Sequence, residues 1–145
     1  MELDSAQIRF LIVHHTATAR IATDFESVKK YHVVVRGWDD IGYHYFIGAD
    51  GYVQKGRADD VVGAHCRADG MNQRSLGICV VGHFDFEAAG MEQLTSLTLL
   101  LRALLLRHQI PVENVLGHGE VVGSETSCPG EALLRWLHFF RKERL

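Results

Sequence analysis

Apolar residues along this chain recur with two periods, and the places where one gives way to the other mark its elements. Ile8 to Val13 is a short, largely apolar run of the kind buried in a parallel sheet, and it delivers His14 and His15 at its C-terminal end. Thr23-Asp24-Phe25-Glu26 fits a helix capping box, after which Phe25, Val28, Tyr31, His32 and Val35 recur at helical spacing up to Gly37. The β-branched run Val33-Val34-Val35 works against that helix. Gly42 to Ile47 reads as a strand, Ala49-Asp50-Gly51 as a tight turn and Tyr52 to Lys55 as the hairpin partner. A polar loop from Arg57 to Arg74 leads into a second apolar strand, Ser75 to Val81. Met91 to His108 is apolar over so much of its circumference that it predicts a central helix covered on more than one side. Pro129 to Arg141 predicts a terminal helix with proline at its first position and Arg141, Lys142 and Arg144 at its basic end. Strands interspersed with helices predict an α/β fold, a single mixed β-sheet flanked by helices.

The 145 residues contain no repeat, no low-complexity tract and only two prolines, so residues 1–145 read as one domain. A net charge of -3 offers no basic excess for a nucleic-acid backbone or an anionic membrane, and neither is expected as a partner. The tract from Leu94 to Leu106 is interrupted by Thr95, Ser96, Thr98 and Arg102 and is too short for a membrane span. Met1-Glu2-Leu3-Asp4 lacks the basic-then-apolar layout of a secretory signal, so no export signal is expected in the sequence as written. A monomer is expected. Three cysteines, Cys66, Cys79 and Cys128, are too few and too odd in number for a disulfide framework. The nine histidines are about twice the number usual for this length.

Three of these residues stand at element ends: His14 after the first strand, His118 in Leu116-Gly117-His118-Gly119-Glu120, and Cys128 before the last helix. Two imidazoles and a thiolate suit zinc, and three protein ligands leave a fourth position open, as in catalytic sites. No Cys-x-x-Cys pair or His-Glu-x-x-His helix reinforces the set, so spacing alone leaves the structural reading of these side chains open.

A wider pattern bears on that choice. Ile12-Val13-His14-His15-Thr16-Ala17-Thr18, Gly42-Tyr43-His44-Tyr45-Phe46-Ile47 with Asp50-Gly51, Gly63-Ala64-His65 with Asn72 and Ser75-Leu76-Gly77-Ile78, Gly117-His118, and Thr126-Ser127-Cys128-Pro129-Gly130 run in this order over residues 8 to 137. Together they resemble the N-acetylmuramoyl-L-alanine amidase type 2 family, which includes amidase-type phage lysozymes and peptidoglycan recognition proteins. The resemblance implies that family's fold and a zinc site made by His14, His118 and Cys128, with Tyr43 beside the metal as a catalytic residue. It places Thr126 where the phage enzymes carry a catalytic lysine and catalytically active recognition proteins a threonine. It places His65 and Asn72 along a muropeptide groove. The implied reaction is hydrolysis of the amide between the lactyl group of N-acetylmuramic acid and L-alanine, in peptidoglycan or soluble muropeptides. Such chemistry draws on zinc to lower the pKa of a water to about 7 and to polarise the carbonyl. A thiolate ligand weakens the Lewis acid, which leaves room for hydroxyl donors such as Tyr43 and Thr126. A helix starting at Pro129 would favour that thiolate through its dipole.

Neighbouring residues are read more plainly. Strand alternation turns His15 away from His14, and His44 away from Tyr43 into the core or a supporting position. Glu120 either orients His118 or faces solvent. Cys79 reads as a small buried hydrophobe and Cys66 as an inert loop thiol. His32, His83, His108 and His138 carry no motif. Tyr43 could be a half-buried core aromatic, and His65 and Asn72 could simply stabilise a loop. Two other functions stay open: a recognition module that binds muropeptide without cutting it, and a zinc hydrolase of another amide. Non-catalytic relatives typically lack the cysteine, which this chain has in Cys128.

Overall fold

The computed structural model describes residues 1–143, so Arg144 lies outside the described residues. Its centre is β1, Phe10–His15, whose Leu11, Ile12 and Val13 are wholly buried. Parallel strands flank it on both sides. β4, Ser75–Val80, pairs in register from Phe10 opposite Ser75 to His15 opposite Val80, and β5, Val115–Gly117, pairs with Leu11 to Val13. β2, Tyr45–Ile47, joins β4 in parallel, and β3, Val53–Lys55, closes the edge antiparallel to β2. The order is β3-β2-β4-β1-β5. This is the expected mixed sheet. β1 keeps the expected six residues but starts two later, so that His14 and His15 lie within it; β2, β3 and β4 are shorter than the apolar runs suggested, and β5 escaped sequence reading because three residues are too few for a period to show.

Alternation along the strands divides the molecule into two faces. Leu11 and Val13 of β1 share one face with Tyr45, Ile47, Leu76, Ile78 and Val80. Two helices cover it: α2, Met91–His108, through Leu97, Leu101 and Leu104, and α3, Glu131–Glu143, through Leu133, Leu137 and Phe140. The opposite face carries Phe46 and Cys79 under Phe25 of the short helix α1, Phe25–Lys30, and Ile12 under Cys66, Met71 and Val121. Ile12 and Cys79 precede or face His14 on that same side. The helix-poor face therefore has room for a site.

Three expectations about the helices are corrected. α1 is capped one residue later than the motif suggested, because the Thr23 hydroxyl pairs with that of Thr18. Asp24 and Ser27 then form the reciprocal cap. The chain continues as a π-turn over Tyr31–Val35, where the valines crowd a regular helix. α2 is covered on one side only: Leu99 and Leu106 are 61% and 83% exposed, while buried Gln93 ties the helix down by donating to the Gly48 and Val81 carbonyls. α3 begins at Glu131, not Pro129; a cis Cys128-Pro129 bond and Gly130 at φ +91, a conformation that disfavours side chains, stand before it. No helix among the described residues is long and apolar enough to cross a membrane.

At the far edge of the sheet, Asp59 collects hydrogen bonds from the Tyr45 hydroxyl at 2.8 Å, Lys55 Nζ at 2.8 Å and Arg107 Nη1 at 3.3 Å, with His108 Nε2 at 3.2 Å. Burial alone would raise this carboxyl, but Lys55 and Tyr45 overcome it and hold it at about 2, against an ordinary 3.8. A depressed carboxyl contributes stability that is complete above its unfolded pKa and lost as pH falls through its folded one. Urea titrations should therefore show about 2 kcal/mol of stability disappearing between pH 4 and pH 2. Asp59→Asn is expected to be less stable at pH 7 and to lose that acid limb. An acid limb unchanged in the variant would assign the loss to other carboxyls.

Candidate metal centre

The sheet brings the three expected ligands together at the C-terminal ends of its central strands. His14, next to last in β1, lies on the helix-poor face and is 2% exposed. His118 follows β5 directly, and its ring centroid lies 4.7 Å from that of His14. Cys128 arrives on the loop before α3, which is bound back to the site because Gly119 N donates to the Cys128 carbonyl at 2.7 Å. One donor atom from each residue lies within 4.8 Å of the other two. Cys128 Sγ stands 3.7 Å from His14 Nδ1. Zinc bonds of about 2.1 Å to nitrogen and 2.3 Å to sulfur in a tetrahedron place such atoms about 3.6 Å apart. The residues fit the metal in donor type, number and spacing.

The electrostatics agree. Burial, then the repulsion a second charge would meet from His65 and His118, holds His14 well below the ordinary imidazole range, and burial lowers His118 as well. Both rings are therefore neutral at pH 7, as ligands must be. Burial pushes the Cys128 thiol up to about 12, although the His15 backbone N–H points at its sulfur from 3.4 Å. The expected help from the α3 dipole does not reach it. That helix start is occupied by Asp85, which accepts from Glu131 N at 3.0 Å and from the Ser127 hydroxyl at 2.7 Å. A cation is what would turn Cys128 into a thiolate here.

Tyr43 lies against the cluster, its ring centroid 5.2 Å from that of His14. Burial, with the Cys79 and Cys128 sulfurs beside it, raises its hydroxyl well above the ordinary tyrosine value, so it remains a donor. Thr126 Oγ1 accepts from Cys128 N at 3.1 Å, which leaves the hydroxyl proton to donate outward from an exposed position. His65 Nδ1 is 2.9 Å from His14 Nε2 and its Nε2 is 3.4 Å from Ser75 Oγ, so both ring nitrogens are engaged within the protein. Asn72 Oδ1 accepts from the backbone of His65 and Cys66, each at 2.9 Å, and so shapes the loop that carries His65.

His15 turns to the helix-covered face and accepts from Phe84 N. His44 is fully buried, donating from Nε2 to the Val61 carbonyl and accepting from Gly77 N at Nδ1. Cys79 and Cys66 are buried. Glu120 follows neither alternative: it forms a two-point ion pair with Arg141 of α3 at 2.8 Å and accepts from Gly117 N, so it clamps the turn that carries His118 without touching the ring.

Two clefts flank the cluster. One, of about 380 Å³, is lined by the hydroxyls of Thr16, Thr18, Thr23 and Ser27 together with Tyr31, His32 and Tyr43. The other, of about 540 Å³, has Arg36, Trp38, His65, Arg67, Asn72 and His118 on its walls. His32, given no role by the sequence, accepts from Gly42 N and sits with ring centroids 4.6 Å from Trp38 and 5.7 Å from Tyr43. No motif marks its function, but it falls seven residues after Phe25 and four after Val28, on the helical face that packs inward.

Comparison with known proteins follows the same line. A family profile described as N-acetylmuramoyl-L-alanine amidase matches residues 4–131. The N-acetylmuramoyl-L-alanine amidase of Sus scrofa is 38% identical over 141 residues, which are 88% of this chain and 22% of the pig protein. The chain thus spans about a quarter of the length of the mammalian relatives it matches. Peptidoglycan-recognition protein SC2 of Drosophila melanogaster is 36% identical over 85% of this chain and 68% of its own length. The N-acetylmuramoyl-L-alanine amidase LysC from Clostridium intestinale superposes with a TM-score of 0.83 at 30% identity, covering 100% of this chain and 91% of that one. The chain belongs to the N-acetylmuramoyl-L-alanine amidase family.

Proposed function

We propose that this chain is a zinc-dependent amidase that hydrolyses the bond between the lactyl group of N-acetylmuramic acid and L-alanine, in peptidoglycan or soluble muropeptides. The observation that carries the reading is the convergence of His14, His118 and Cys128 on one point with Tyr43 beside them. When bound, zinc supplies Lewis acidity toward a water and the amide carbonyl. The chain's own residues do the rest. His14 and His118 stay neutral because they are desolvated, and Cys128 contributes one negative charge, so the site keeps a net positive character toward a carbonyl oxygen. As water oxygen bonds to the lactyl carbonyl carbon, charge gathers on the carbonyl oxygen. The Tyr43 and Thr126 hydroxyls are the donors available to it. The carbon–nitrogen bond then breaks, and the alanine amine leaves with the proton that the attacking water gave up. His65 and Asn72 line the cleft that would receive substrate beyond the metal, together with the cationic Arg36 and Arg67.

The relatives named for peptidoglycan recognition keep a second reading in play, binding without cleavage, and Cys128 weighs against it. Mass spectrometry of muropeptides incubated with the zinc-loaded chain separates the two. Release of free stem peptide supports the amidase. Tight muropeptide binding with no release over long incubation would hand the site to recognition.

Cys128→Ser is expected to abolish stoichiometric zinc retention in metal analysis and to remove hydrolysis, as should chelation. Full hydrolysis by either preparation would sink the metal reading. Tyr43→Phe is expected to retain zinc and lose about 100- to 1000-fold in kcat with KM little changed, the usual cost of one such donor. Thr126→Val should do likewise to a smaller degree; a KM effect alone in both variants would make these hydroxyls binding groups instead.

A further inference from the structure

We propose that His65 is a positioning residue that dictates which nitrogen of His14 faces the metal, through a one-way chain of hydrogen bonds set at the Met71 carbonyl. This rests on reading His14, His118 and Cys128 as a zinc site. The direction of the chain comes from counting donors and acceptors. Ser75 Oγ lies 2.6 Å from the Met71 carbonyl oxygen. A carbonyl only accepts, so the serine proton lies between those two atoms. Ser75 Oγ is then an acceptor toward His65 Nε2, 3.4 Å away, and that nitrogen carries the ring's proton. Neutral His65 is left with a bare lone pair at Nδ1, 2.9 Å from His14 Nε2. Two lone pairs do not sit at that distance. His14 therefore carries its proton at Nε2, and its bare nitrogen is Nδ1, the atom 3.7 Å from Cys128 Sγ. The other tautomer would aim an N–H bond at the position the metal needs.

The fold makes a slot for this ring. A Cβ on Gly77, opposite Ile12 in the sheet, would stand 2.5 Å from His65 Cγ, and one on Gly63 would stand 2.7 Å from His65 Cδ2. Neither position tolerates a side chain while the ring stays. Asn72 fixes the backbone end of the same residue. A histidine in this place differs from the carboxylate that often supports a metal-bound imidazole. It orients the ligand without adding negative charge to a site in which Cys128 already supplies a thiolate.

Long-range proton–nitrogen NMR of the full chain reads the tautomers directly. His14 and His65 are both expected with protonated Nε2 and bare Nδ1 before zinc is added, and zinc should then shift Nδ1 of His14. His14 found protonated at Nδ1 overturns the proposal. Zinc competition against a chromophoric chelator supplies the second measurement. His65→Phe is expected to bind zinc about 10- to 100-fold more weakly than the unaltered chain. His65→Gln, whose amide oxygen still accepts from His14 Nε2, should recover part of that loss. Affinity in His65→Phe equal to that of the unaltered chain also overturns it. Where the phenylalanine variant fails to fold, Ser75→Ala decides: a second His14 tautomer should appear, and an unchanged spectrum is contrary. Zinc uptake by the unaltered chain without release of stem peptide would refute the amidase and leave this relay standing. Hydrolysis with undiminished zinc affinity in His65→Phe would do the reverse.

Discussion

A histidine at the end of a strand covered on both faces has lost water from both ring nitrogens, and each must find something inside the protein to replace it. His14 is in that position at 2% exposure. One nitrogen is met by His65; the other faces Cys128 and, beside it, His118. Much of the surrounding sequence follows from satisfying this one ring. Gly77 leaves a space in β4 for His65, Ser75 at the start of the same strand supplies a polar contact, and Asn72 holds the loop. The Glu120–Arg141 pair and the Gly119 hydrogen bond tether the two loops from which the remaining ligands come. The nitrogen facing Cys128 is the one a cation would satisfy, and the same cation would ionise the thiol that burial alone keeps protonated.

Strand order turns that local need into a site. β1 lies between β4 and β5 in parallel, so the C-terminal ends of all three open on the same edge. Ligands gather beyond the carboxyl ends of strands in open α/β sheets because the loops there are free to diverge from a rigid base. Here the base is rigid on one side in particular. α2 and α3 share a face with Leu11, Val13, Ile78 and Val80, and His15 is turned into that layer. The opposite face has a six-residue helix, a π-turn and the short 3-10 segment Ala68–Gln73 in place of long helices, and the two clefts lie there.

How much of this could be read in advance depended on the length scale of each interaction. The central strands and α2 were legible because burial repeats along several residues. Strand alternation alone separated His14 from His15 and sent His44 into the core. The pairing of His14, His118 and Cys128 was chemically plausible from residue type, but His118 lies 104 positions after His14 and no local spacing joins them; only the ordered motifs did. Contacts made by single side chains across the fold were invisible. Glu120 reaches Arg141 on the next helix, Asp85 caps a helix begun 46 residues later, and the His32 ring lies 5.7 Å from that of Tyr43 across the fold. Sequence reading also overstated α2, since leucine is a good helix former whether or not it is buried, and Leu99 and Leu106 face outward.

The two faces consequently place different demands on their residues. On the α2 and α3 side, large aliphatic groups such as Leu97 and Leu137 fill space, and another apolar group of similar volume meets the same need. On the other side the sheet carries a glycine and a cysteine, Gly77 and Cys79, because rings lie over them: His65 on the first, Tyr43 beside the second. Small residues in a central strand weaken a core unless something specific occupies the space. In this chain what occupies it is the pair of side chains that flank His14, so the packing of β4 and the placement of the candidate metal ligand are one constraint.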